Sequence, residues 1–406
     1  MLLTFSVKNF KSFKDKATLD LRAASIDEYD EINTFEVPGE GKVLKGAFIF
    51  GGNSAGKSNL LKALYYMKKV VCHSFNNQHI IEEGNNFLLD LSSKSLPSVF
   101  ECEFKSDKYY YKYAFSILKG KIVNEKLERK NLRYVVLFER NEKNELIGKA
   151  DFVAKIRKFI KNVRDNALVV SVLTALNDEE CGDVYNWFND ITFVNPRHVG
   201  DLNDDQKYIE CLKFADKTIK GVYSKKIEIS EEEKTEMHKL FGEKFPAFFE
   251  KMNKENYTKH IVYDDNKKPI GEIDLPIKKF ASQGTIKYMS LLIPIFKALE
   301  KGSVICIDEI DSNLHVSLVN YLVKLFNSID HNPKNAQILT TTHDVFLLDE
   351  NIRRDQIVLV DKNIYGESRV YSLVDLKGVK KRDTILKKYL LGYYGAVPCI
   401  KDIEDE

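Results

Sequence analysis

Gly51-Gly52-Asn53-Ser54-Ala55-Gly56-Lys57-Ser58, followed by Asn59, most constrains this chain, because it matches G-x-x-x-x-G-K-[ST] between an apolar run and an amphipathic one. A phosphate-binding loop of this kind needs a buried strand to deliver it and a helix N-terminus to receive the phosphates. Ala47-Phe48-Ile49-Phe50 reads as that strand, and Leu60, Leu64, Met67 and Val71 recur at the spacing of one helix face. Backbone N–H groups of the loop would cradle the phosphates, Lys57 would reach the β and γ oxygens, and the Ser58 hydroxyl would hold magnesium. The motif therefore predicts an α/β P-loop NTPase with Mg2+ as its ion. ATP is expected ahead of GTP, since no N-K-x-D guanine motif occurs.

At 406 residues the chain exceeds the roughly 250–300 residues of a single core, so one enlarged domain with an insertion, or two domains, is expected. A net charge of +2 argues against a global electrostatic footprint for nucleic acid, although local stripes survive that average. Lys8, Lys11, Lys14 and Lys16 form one stripe, and Lys155, Arg157, Lys158, Lys161 and Arg164 another; each reads as a solvated face ahead of a DNA contact. Lys8 interrupts the apolar start before a signal-peptide core develops, and runs such as Met289–Phe296 fall short of about 18 residues. Neither export nor a membrane span is expected. Cys72, Cys102, Cys181, Cys211, Cys306 and Cys399 include no C-x-x-C pair and read as reduced thiols of a cytoplasmic protein. His73 and His79 lack an acid or cysteine at ligand spacing, and Trp187 reads as a packing residue.

Alternation over Leu3–Lys8 and Ala17–Leu21 predicts two strands ahead of the loop. From Val99 to about Ile147 the pattern is an antiparallel meander with a turn at Lys119-Gly120-Lys121. Residues 151 to about 250 read as helical and charged, with Ser230-Glu231-Glu232-Glu233 starting a helix, and the turn formers of Tyr263–Pro269 mark a loop back into the core.

A second half of the nucleotide site comes late in the chain. Ser303–Glu309 is a buried-strand run ending in two acids, in which Asp308 would hold magnesium through water and Glu309 would polarise the attacking water. His343, at the carboxyl end of another apolar run, is placed to touch the γ-phosphate. Ala281-Ser282-Gln283-Gly284-Thr285 lies upstream, before a helical run from Ile286 to Leu299. It would offer N–H groups and a hydroxyl to an anion, or act simply as a helix cap.

Taken in this order, the Walker A loop, the turn at Ser282–Thr285, the Walker B strand at Ile305–Glu309, the D-loop at Asp311–Leu314 and the switch residue His343 resemble the ABC-type ATPase heads of the RecF, SMC and OLD group. Val7-Lys8-Asn9-Phe10-Lys11-Ser12-Phe13 looks like the first strand of these heads. Arg353-Arg354-Asp355-Gln356-Ile357, Asp361-Lys362, Gly366-Glu367-Ser368 and Lys388–Pro398 look like the RloA/AbiLi class of bacterial phage-defence ATPases, with the PARIS and Septu ATPase subunits as more distant relatives. The resemblance implies an ABC-type head with an N-terminal antiparallel β subdomain. Residues 1–150 and 271–375 would be its two portions, 151–270 a helical insertion and 376–406 a tail. It implies a homodimer or higher homo-oligomer with composite ATP sites, in which Ser282 and Gly284 of one copy cover the ATP of another. It also implies a separate effector, TOPRIM-like or another nuclease, and a nucleic acid or phage protein as trigger. Ala281 and Gln283 depart from the L-S-G-G-Q pattern, and Gln78 is a poor match for a Q-loop residue. About 30 residues follow the strand predicted near Val370–Leu373, too few for a TOPRIM domain. A RecF-like DNA-repair ATPase is the alternative, with an AAA+ remodeller behind it.

Overall fold

The computed structural model describes residues 1–81, 84–194, 202, 205–226, 235, 254–380 and 384–398, so the acidic run at Ser230-Glu231-Glu232-Glu233 and Cys399 lie outside the described residues. The chain opens with β1 (Leu2–Lys8), β2 (Ala17–Asp20), α1 (Asp30–Asn33), β3 (Thr34–Val37) and β4 (Gly41–Leu44). β5 (Gly46–Phe50) then leads through the phosphate loop to α2 (Lys57–His73). Next come β6 (Ser98–Lys105), β7 (Tyr110–Leu118), β8 (Lys121–Lys130), β9 (Tyr134–Asn141), β10 (Leu146–Gly148), α3 (Ala150–Arg157), α4 (Val169–Ala175), α5 (Glu179–Asp190) and β11 (Thr192–Val194). After them lie α6 (Gln206–Leu212), β12 (Ile219–Lys226), β13 (Lys254–Tyr263), β14 (Pro269–Pro276), α7 (Ile277–Phe280) and α8 (Gln283–Lys301). The last elements are β15 (Val304–Ile307), α9 (Val316–Asn327), β16 (Gln337–Thr341), β17 (Ile357–Lys362), β18 (Ser368–Ser372) and α10 (Ile385–Leu390).

These elements form two compact units, one of residues 1–194, 298–310 and 323–406 and one of residues 195–297 and 311–322. In the first, a sheet of order β11-β15-β16-β5-β17-β18 is parallel except at its β17–β18 edge. β5 and β15 are buried along their whole length, which is why both read as continuous apolar runs. A second sheet, β10-β9-β8-β7-β6-β1-β2, is antiparallel throughout, and β6 and β7 alternate buried with half-buried residues. This is the predicted meander, with the two N-terminal strands added at its edge. Gln337 ties the sheets together: its amide accepts from Leu2 N–H at 2.6 Å and donates to the carbonyls of Leu2 and Leu44, both at 3.0 Å.

α2 buries Leu60, Leu64, Met67 and Val71, the face that the spacing predicts. α4 carries no side-chain cap of its own. The fully buried Glu125 of β8 takes that place, accepting from Val169 N–H at 2.8 Å, Val170 N–H at 3.1 Å, Tyr113 Oη at 2.8 Å and Arg140 Nε at 2.9 Å. A carboxylate buried this deeply is tolerable because every partner is supplied, two of them at a helix start.

Among the described residues, the stretch expected as a helical insertion, 151–270, divides between the two units. α3, α4 and α5 pack Phe152, Ile156, Val170, Leu173, Val184 and Phe188 into the core of the first unit. In the second unit β12, β13 and β14 make a three-stranded antiparallel sheet, and the turn formers of 263–269 close its β13–β14 hairpin. β14 is exposed from Pro269 to Asp274, so its apolar residues face no core and leave hydrophobic periodicity without a signal. Aromatic content was the usable cue: Tyr223 stacks on Tyr257 with centroids 5.5 Å apart. The expected 271–375 portion is also divided, since 271–297 and 311–322 belong to the second unit. Among the described residues no helix is long and apolar enough to cross a membrane. Trp187 packs as expected, stacked on Phe104 at 4.0 Å.

Candidate nucleotide-binding site

The loop after β5 enters α2 with no side chain capping the helix and no acid in its first turn. Such a helix start, with the positive end of its dipole exposed, is open to an anion. Gly56 occupies the cap position at φ +115°, and a Cβ there would lie 2.5 Å from Ser368 Oγ and 2.8 Å from Ser12 Oγ. Only glycine satisfies both the backbone angle and the space. The same two serines brace the loop. Ser368 Oγ donates to Ala55 O at 2.5 Å, Ser368 N–H to Ser12 O at 2.7 Å, and Asn59 Nδ2 to Ser12 Oγ at 2.9 Å. Lys57 is buried, its Nζ donating to the carbonyls of Gly51 at 2.8 Å and Gly52 at 3.1 Å.

β15 runs directly into Asp308 and Glu309, and Thr341 at the end of neighbouring β16 anchors both. Its Oγ1 donates to Asp308 Oδ1 at 2.6 Å and accepts the Glu309 N–H at 2.7 Å. Glu309 adopts φ +52°, a left-handed conformation that costs a non-glycine residue about 1–2 kcal/mol. Strain of this kind persists where surrounding structure over-determines it, and here the anchored N–H does so. His343 lies two residues beyond β16 and is exposed. The backbone next to it is pinned, because Asp344 N–H donates to Thr342 Oγ1 at 2.9 Å and the Asp344 carboxylate accepts from Phe346 N–H at 3.0 Å.

Asn53, Ser54, Ala55, Gly56, Lys57, Ser58, Asn59, Glu309, His343 and Lys362 line a cleft of about 440 Å³. That volume falls in the range of small-molecule sites, roughly 300–1,000 Å³. The fold thus gathers one end of three parallel strands and the loop into a single cleft, as open α/β sheets do for their ligands. Gly51 and Gly52 begin the loop, and Pro398 lies beside Gly52. The Ser58 hydroxyl makes no hydrogen bond among the described residues, and Thr341 engages only one oxygen of Asp308. A free hydroxyl and a free carboxylate oxygen are the donor types that suit a hard cation such as Mg2+.

Ser282 and Gly284 do not line this cleft. In the second unit Ser282 caps α8, accepting Thr285 N–H at 3.0 Å on Oγ and Ile286 N–H at 2.9 Å on its carbonyl. Gly284 presses on the segment after Walker B, where a Cβ would lie 2.7 Å from Asn313 O, and Lys287 donates to Ser312 Oγ. Ser282–Thr285 and Asp311–Leu314 are therefore one packed feature. Gln78, weighed as a Q-loop residue, is exposed and pairs with His79 at 3.1 Å.

Ser12, Thr341, Lys362 and Ser368 stand at the site with no role there assigned from the sequence, although Ser12, Lys362 and Ser368 fall in stretches that carry the family resemblance. Thr341 and Lys362 carried a usable signal, since each is a polar residue ending a buried strand, the place where such sheets bind ligands. Ser12 and Ser368 carried nothing beyond that resemblance, because only the folded chain brings them to the loop.

No curated protein matches this sequence. Solved structures that match include the SMC head domain from Thermotoga maritima, 14% identical over 91% of this chain and 98% of that one, with a TM-score of 0.36. Residues 47–349, more than half of the chain, match the family described as "AAA domain, putative AbiEii toxin, Type IV TA system". The matched stretch begins within the strand that delivers the loop and ends beyond His343, so it holds every residue lining the cleft except Lys362, and the chain belongs to this AAA-domain family of α/β P-loop ATPases.

Proposed function

We propose that the chain is an ATP-binding and ATP-hydrolysing ABC-type head that serves as the nucleotide-gated regulatory subunit of a cytoplasmic abortive-infection system against phage. It controls a separate effector, TOPRIM-like or another nuclease, in response to a nucleic acid or phage-protein trigger. The family's toxin–antitoxin description supports this setting. The carrying observation is the cleft that unites the phosphate loop with Glu309 and His343. Lys57 and the start of α2 hold the phosphates, and Glu309 takes the proton of the attacking water. Ser58 and Asp308 would hold the Mg2+, which would supply positive charge to the phosphates when bound. His343 contacts the γ-phosphate. Ser282 and Gly284 act on the ATP of a second copy, a role supported by their packing against the D-loop segment. The γ-phosphate is then the differential ligand between separate and closed dimers.

The test is hydrolysis and solution mass for wild type and Glu309→Gln, without nucleotide and with ATP and magnesium. We expect the variant to lose about 10²–10⁴ in kcat and to accumulate as a closed dimer. Unchanged hydrolysis removes Glu309 as the base, and a constant monomer that still turns over removes the composite site. The DNA-repair reading has less support, because Lys14, Lys16 and Lys155 are engaged with Glu367, Glu101 and Asp178, and Arg164 donates to the carbonyls of Ser74 and Phe75 beyond α2.

A further inference from the structure

Among the described residues, Lys362 is the one lining residue of the cleft that lies outside the family match, and the fold delivers it there by register. β17 runs parallel to β5, pairing Leu359 with Phe50, the last residue before the phosphate loop. Val360, Asp361 and Lys362 therefore continue along the flank of that loop. On its other side Lys362 pairs with Ser368 in the β17–β18 ladder, and Ser368 is itself bound to Ala55 O and Ser12 O. The lysine is thus held at a fixed distance from the phosphate loop by three strands' worth of backbone.

Its charge is unspent. Asp361 pairs with Arg369 at 3.0 Å, and Glu367 with Lys14 at 2.9 Å and Asn363 at 2.8 Å. Among the described residues no carboxylate pairs with the exposed Lys362 ammonium, so a lysine faces an anion-binding cleft with no protein counter-ion. The sheet order says which end of a nucleotide it faces. β16 and β15, the strands that lead to His343 and Glu309, lie on one side of β5, and β17 lies on the other. The bond-breaking end of a triphosphate belongs beside Glu309 and His343.

We propose that Lys362 is a second phosphate-binding cation of the cleft, contacting the part of the nucleotide that is not transferred, its α- and β-phosphates. The assignment rests on the nucleotide-binding function proposed above and adds a residue and a polarity to it. An ammonium bound to the retained phosphates stabilises the triphosphate and the diphosphate alike, whereas a γ-facing group discriminates between them. Lys362 would accordingly set how long the product diphosphate stays bound, without sensing whether hydrolysis has occurred.

Calorimetric titration with ADP and with a non-hydrolysable ATP analogue tests this, using wild type, Lys362→Ala, Lys362→Arg and, as control, Lys57→Ala. Loss of one charge-assisted contact should raise Kd for both nucleotides by about 10-fold and leave their ratio unchanged, with Arg restoring most of the affinity. The melting temperature of ligand-free Lys362→Ala should match wild type, since the side chain is exposed. Unchanged Kd values for Lys362→Ala overturn the assignment, and so does weakening confined to the triphosphate analogue, which would turn the lysine toward the γ-phosphate. Those results leave the nucleotide-binding function standing as long as Lys57→Ala abolishes binding. Equal binding by wild type and Lys57→Ala, or no binding by either, overturns both.

Discussion

A single hydroxyl, that of Thr341, donates to the Asp308 carboxylate and accepts the Glu309 N–H, so the acid proposed for magnesium and the acid proposed as base share one anchor. Thr341→Val keeps the volume and removes that anchor. Small misplacements of catalytic groups carry large rate penalties, so kcat should fall by about 10- to 100-fold. The buried site loses about 1–3 kcal/mol of stability through its unmatched partners. Steady-state hydrolysis and a denaturant melt read the two effects, and Thr341→Ser should retain most of the rate. Asp308 and Glu309 are legible in the sequence because they are consecutive and directly follow an apolar run. Thr341 was not, because its partners lie on another strand and only the β15–β16 register joins them.

Two clusters show how side chains hold whole segments of the first unit in place. Arg353, fully buried, donates to Asp355 Oδ1 at 3.0 Å and Oδ2 at 2.8 Å, Asp30 Oδ1 at 2.6 Å, and the carbonyls of Ala24, Ile26 and Glu28 at 3.1, 3.2 and 2.9 Å. It fastens the chain before α1 to the start of β17. Arg353→Met strands carboxylates and carbonyls together and should destabilise by about 3–5 kcal/mol in urea unfolding; Arg353→Lys should not rescue it, lacking the fork. At the other cluster, the hydroxyls of Ser92 and Ser93 at 2.7 and 2.9 Å, with Lys14 at 3.6 Å, hold the Asp90 carboxyl down to about 2. Lys14 also pairs with Glu367, next to the loop-bracing Ser368, and draws that carboxyl down. The folded state favours the charged Asp90, so its contribution is complete above the ordinary carboxylate range and disappears as pH falls toward about 2. The melting-temperature gap between wild type and Asp90→Asn should be constant at neutral pH and close between about pH 4 and about pH 2.

At the scale of the molecule, a ligand that binds only the folded state stabilises it by mass action, about 2.7 kcal/mol at 100 times Kd. ATP with magnesium should therefore raise the melting temperature of the first unit, which holds the whole cleft. Adding a chelator should return most of that gain, because Ser58 and Asp308 would then face the phosphates without the cation. A shift with ATP that ignores the chelator would argue against a metal at Ser58 and Asp308. Separate transitions for the two units under these conditions would show which one the nucleotide stabilises.

The sequence by itself determined the phosphate loop, the strand and helix that flank it, the acids after β15 and the antiparallel meander, because each depends on residues adjacent in the chain. A helix start binds phosphate with its own backbone, and a buried parallel strand declares itself as an unbroken apolar run. Tertiary structure alone decided that β16 separates the Walker B strand from the loop strand, that Ser12 and Ser368 brace Gly56, and that Lys362 enters the cleft. It also decided that 151–190 joins the first core while 219–226 and 254–276 build the sheet of the second unit. In a parallel sheet neighbouring strands are joined by long crossovers, so which strands meet, and in what register, is set by packing over the whole core and is not encoded in any local stretch of the chain.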